Sequence, residues 1–112
     1  MKKIKIFLIL INVSFFASCE SNTTQELTVV VTTPTYAKNI VPVITASCIS
    51  CHSAGSQFPT LETYAQVVEA TQNGNLLCRI NGTCGSIMPT NGKLPQATID
   101  MIQLWKTNNY PN

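Results

Sequence analysis

Residues 48 to 52 read Cys-Ile-Ser-Cys-His, and His52 is the chain's only histidine. Two thiols separated by two residues, with an imidazole directly after the second, leave few arrangements in which all three side chains are useful at once. The stretch that carries them, Tyr36 to Asn112, is fewer than eighty residues long. A domain of that size buries only about 60% of its unfolded surface and commonly needs disulfides, a metal or a cofactor to be stable. The pentapeptide is therefore both a source of chemistry and a candidate means of holding a small core together.

The beginning of the chain decides which compartment those thiols meet. Lys2, Lys3 and Lys5 precede an apolar run from Ile6 to Ser18, which has the length of a signal-peptide core and is too short to cross a bilayer as a permanent helix. Residues 1–18 are read as an export signal. The segment Phe15-Phe16-Ala17-Ser18-Cys19 resembles the lipobox of bacterial lipoproteins, which implies that Cys19 is lipidated and becomes the mature N-terminus. Phe16 departs from the usual Leu of that box, and an ordinary secreted signal is the alternative. The resemblance implies the periplasmic side of a bacterial envelope and attachment to a membrane, the outer one being expected and the inner one the alternative.

Removing the signal leaves Lys38, Arg79, Lys93 and Lys106 against Glu20, Glu26, Glu62, Glu69 and Asp100, a formal charge of −1. No basic cluster survives to follow a phosphate backbone, so nucleic acid is not an expected partner. Residues 19–35 are rich in Thr and Ser and lack helical periodicity, which suits a tether, although the β-branched run Leu27–Val31 could instead pair as a short strand.

Within 36–112 three helical segments can be placed. Asn39 is a candidate N-cap, Pro42 is acceptable in a first turn, and Ile40, Val43 and Ile44 form an apolar face leading into Cys48. Thr60 can cap a second helix, with Leu61, Tyr64, Val67 and Val68 on one side and Gly74 as the stop. Pro95 opens a third, in which Ile99, Ile102 and Trp105 recur every three residues up to Asn108 and Asn109. No alternating pattern competes, and the expected fold class is all-α.

Four chemistries use the atoms of the pentapeptide. A zinc site would recruit Cys78 or Cys84 as a further ligand, but adjacent Cys51 and His52 do not readily reach one tetrahedral ion together. A thioredoxin-like dithiol starts a helix among strands, whereas this one ends a helix with no strands expected. A disulfide inside the motif leaves His52 unexplained. Haem attachment explains all three residues: Cys48 and Cys51 add to the two vinyl groups on one edge of a porphyrin, and His52 falls beneath the ring as an iron ligand.

The order of "NIVPVITASCISCH", "PTLETYAQVV", "IMP" and "LPQATIDMIQLWKTN" resembles a small class I c-type cytochrome domain of the single-haem, envelope-lipoprotein kind, over about Tyr36 to Asn108. The resemblance implies three to four helices around one covalent haem c, with Met88 as the distal ligand opposite His52. A separate reading of the residues agrees. Only Met88 and Met101 remain after the signal; Met101 falls within a periodic helix and suits the core, while Met88 lies in a turn-rich loop, with Pro89 restricting its backbone. An exposed loop methionine without a ligand role is the alternative. The family also implies a proline carbonyl for the His52 Nδ1 proton, and Pro59 is the candidate, at an unusually short spacing.

Cys78 and Cys84 flank a turn signal at Asn81-Gly82 and can be joined in an oxidising compartment, with free thiols as the alternative. This departs from the plainer family pattern. Arg79 and Lys93 are the cations nearest the expected haem loops, candidates for the propionates or simply solvated charges. The expected function is electron transfer between unidentified donor and acceptor proteins, not enzymatic turnover. A haem enzyme or gas sensor with an open distal position is the alternative.

Overall fold

In the computed structural model, residues 30–112 are described; the signal segment, Cys19 and residues 27–29 of the β-branched run lie outside the described residues. Thr35 opens the first helical segment in extended backbone. Its hydroxyl accepts from the Lys38 amide at 3.4 Å, and Asn39 Oδ1 accepts from the Thr35 amide at 3.0 Å. The expected cap at Asn39 is thus corrected: Asn39 lies one turn inside and reaches back to the residue that caps. Tyr36–Ile40 winds as a π-turn into α1, Val41–Ser47. The widening falls just before Pro42, which has no amide and whose ring would press on the carbonyl four residues earlier. The Ile40 and Val41 amides instead bond five residues back, to Thr35 and Tyr36.

Helix α2 spans Tyr64–Gln72 and is capped by Thr63, not by the expected Thr60. Thr63 accepts from the Gln66 amide at 3.3 Å while Gln66 Oε1 accepts from the Thr63 amide at 3.0 Å, a reciprocal box that Thr60 has no glutamine or glutamate three residues on to complete. A short helix, α3, covers Leu76–Asn81 and ends at Gly82 in the left-handed region, φ 73°. Asn81-Gly82 therefore marks the C-terminus of a helix. Helix α4, Gln96–Thr107, begins after Pro95. Among the described residues there is no strand, and Val30 and Val31 form none.

The core forms where these helices converge. Ile40, Ile44, Leu61, Val67, Ile80, Ile99, Ile102 and Trp105 are buried, and Met101 packs against them. Each such aliphatic side chain contributes about 1.5–3 kcal/mol on burial. Trp105, fully buried, stands among Tyr36, Tyr64 and Tyr110 with ring centroids 5.9, 6.3 and 5.0 Å away. The C-terminal residues bind this cluster together: the Pro111 carbonyl accepts from the Tyr36 amide and from Trp105 Nε1, both at 2.8 Å, and the Tyr110 carbonyl accepts from the Tyr64 hydroxyl at 2.7 Å. Lys106 Nζ donates to the Thr71 carbonyl at 3.3 Å, linking α4 to the end of α2.

Candidate functional site

Helix α1 ends in a way that turns the pentapeptide toward one place. The Ile44 carbonyl accepts from the Cys48 and Ile49 amides at 2.9 and 3.1 Å, and the Cys48 carbonyl then accepts from Cys51 and His52 at 3.1 and 2.9 Å. Two consecutive tight turns thus follow the last helical carbonyls. The next loop is fixed at both edges, with Gln57 donating to the Cys51 carbonyl at 2.9 Å and Leu61 to the His52 carbonyl at 2.8 Å.

That loop brings the Pro59 carbonyl to 2.8 Å from His52 Nδ1. A carbonyl only accepts, so Nδ1 carries the proton and the Nε2 lone pair is the basic site of the ring. Such a bond fixes the orientation and tautomer of a ligating imidazole. Cys48 and Cys51 are both free thiols, Cys51 exposed and Cys48 half-buried. Burial pushes the Cys48 thiol above the usual thiol range, because the charged form loses hydration there.

Cys48, Cys51 and His52 line a cavity of about 1110 Å³, and so do Pro59, Arg79 and Met88. Helices α2 and α3 supply apolar wall through Ala70, Leu76 and Ile80. Met88 reaches the cavity from a different stretch of chain, its amide bonded to the Arg79 carbonyl at 3.1 Å. The two methionines separate as their settings suggest, Met88 on the cavity and Met101 against the core.

The remaining sequence candidates fall differently. Cys78 and Cys84 are joined, with Cα atoms 5.4 Å apart, so neither is free to complete a zinc site on the pentapeptide. Among the described residues no cluster of three or more His, Cys, Asp or Glu is positioned to hold a metal ion. Lys93 is absent from the cavity wall and points instead to Gln96 Oε1 at 3.4 Å. Arg79 is half-buried, and its guanidinium donates to the Ser86 carbonyl at 2.9 Å. Sequence reasoning missed α3 and the use of Arg79 to organise a loop. The available signal was Gly85 beside Cys84, a residue able to pass close to a bulky side chain.

The donor set fits a flat, thiol-reactive macrocycle with a central metal: two free thiols, one imidazole with Nδ1 already bonded, and one thioether share a single cavity. Compared with protein-family models, with curated proteins and with solved structures, the chain finds no match, so the reading of the site rests on its own residues.

Proposed function

We propose that this domain is a single-haem c-type cytochrome of the class I kind, an electron carrier attached to a bacterial envelope membrane through lipidated Cys19. One observation carries the reading: Cys48, Cys51 and His52 line the same cavity as Met88, some forty residues away in sequence. The architecture is consistent with it, since the first helical segment and the last helix meet through Tyr36 and Trp105.

When bound, haem c supplies an iron that cycles between Fe(II) and Fe(III). The chain supplies the rest. Cys48 and Cys51 would hold the haem covalently as thioethers. His52 would ligate through Nε2, because Nδ1 is committed to Pro59. Met88 would supply a soft thioether sulfur, which favours the reduced state. The apolar wall residues Ala70, Leu76 and Ile80 would lower the dielectric on that side of the metal. The partners on this reading are a donor and an acceptor protein, with no nucleic acid.

Protein produced with cytochrome maturation machinery is expected to carry the mass of one haem, lost in a Cys48→Ala, Cys51→Ala double variant. The oxidised protein is expected to show the far-red sulfur-to-iron charge-transfer band, and the reduced protein to bind no carbon monoxide at neutral pH. Met88→Ala should lose the band, bind carbon monoxide and lower the reduction potential. A wild type that binds carbon monoxide readily, with a spectrum unchanged by Met88→Ala, would move the function to a haem enzyme or gas sensor. An acyl mass on Cys19 tests the anchor.

A further inference from the structure

The segment from Cys84 to Met88 wraps around one side chain. Arg79, on α3, donates from its guanidinium to the Ser86 carbonyl at 2.9 Å, and the same nitrogen lies 3.5 Å from the Cys84 carbonyl. Its own carbonyl accepts from the Met88 amide at 3.1 Å and from the Gly82 amide at 3.1 Å. Arg79 therefore holds the segment at two points, by side chain at its middle, Ser86, and by backbone at its end, Met88. Gly85 lies between Cys84 and Ser86, at φ +60°. A Cβ there would collide with the Arg79 guanidinium, so glycine suits the left-handed backbone, and an added side chain would push the guanidinium aside. The Cys78–Cys84 bridge ties the start of the segment to α3.

We infer that Arg79 is the positioning residue for Met88, clamping the Cys84–Met88 segment so that the sulfur is held at the cavity. The inference rests on the ligand role proposed for Met88, but the clamp can be read independently of it. Guanidinium geometry matters here: one nitrogen faces both carbonyls, and a rigid planar group holds that geometry with less loss of freedom than an ammonium on a flexible stem. Breaking the Ser86 bond leaves the backbone bond at Met88 without lateral support.

The test uses the full haem-loaded protein and compares Arg79→Gln, Arg79→Lys and Gly85→Ala with wild type. Hydrogen exchange of the peptide covering residues 84–88 is expected to quicken by about fivefold in Arg79→Gln, the scale of one lost hydrogen bond. The far-red band should weaken, carbon monoxide binding should appear and the potential should fall toward that of Met88→Ala. Arg79→Lys should recover part of the band, and Gly85→Ala should reproduce the Arg79→Gln pattern by displacing the guanidinium. If Arg79→Gln does not fold, Arg79→Lys and Gly85→Ala carry the same comparison. Unchanged exchange over 84–88 in these variants overturns the clamp, as does a full band in Arg79→Gln beside its loss in Met88→Ala. If the wild type shows no band and Met88→Ala changes nothing, the ligand reading fails on its own, and the exchange measurement alone decides whether Arg79 clamps the segment.

Discussion

Cys48 and Cys51 are three residues apart yet differ in environment, one half-buried with its thiol pushed up, the other exposed. Because the thiolate is the nucleophile, the two should react at different rates in cofactor-free, folded protein. Iodoacetamide at neutral pH is expected to label Cys51 several-fold faster than Cys48, read by mass spectrometry of a time course. Equal rates, or Cys48 first, would contradict the burial described. At this scale much was legible from the sequence, since the pentapeptide's chemistry is a matter of spacing along a few bonds. The Pro59 carbonyl was less so: no side chain announces it, and only the path of the loop brings it to His52. Arg79 was legible as a charge but not as a clamp, because its bonding partners are backbone carbonyls that any residue could provide.

The helices differ in how plainly their sequences announced them. Helix α4 was readable because Ile99, Ile102 and Trp105 repeat over twelve residues, and all three are buried. Helix α3 has only six residues, less than two turns, too few for any periodicity to register. Its stability comes from packing Ile80 into the core and from the left-handed cap at Gly82, neither of which shows in propensity. Helix starts were misplaced at Asn39 and Thr60 because several Thr and Asn residues are chemically able to cap, and the choice depends on which can pair reciprocally. Thr63→Ala is accordingly expected to cost about 1 kcal/mol in chemical denaturation. Thr60→Ala, which removes no cap, should cost less, and a reversed order would show that α2 starts elsewhere.

For the molecule as a whole, burial pushes three titrating groups the same way: Cys48, Tyr36 and Tyr110 are all raised. A raised acid stays protonated in the folded state while its unfolded counterpart ionises first, so each group's contribution is complete below the unfolded pKa. It is lost as pH rises through the folded value. Cofactor-free protein with its free cysteines unmodified should therefore keep its melting temperature to roughly pH 8 and lose it progressively above, through the thiol and then the tyrosine range. On the proposed haem reading, thioether formation at Cys48 would remove the first part of that loss, and Tyr36→Phe should flatten the second. Melting curves from pH 7 to 11 check this, and a melting temperature that rises with alkali would refute it.

The bond between the Tyr36 amide and the Pro111 carbonyl makes the helical domain nearly a closed ring. Its first helical residue and the penultimate residue of the chain meet at one point, so a short glycine linker from Asn112 back to Thr35 should join them with little distortion. New ends could then be opened at Gly92, which is exposed and has open space where a side chain would project. Such a circular permutant would carry Met88 near its C-terminus and α4 near its N-terminus. It would separate what the core needs, the juncture of Tyr36, Trp105 and Pro111, from what the cavity needs, a loop held in place by Arg79.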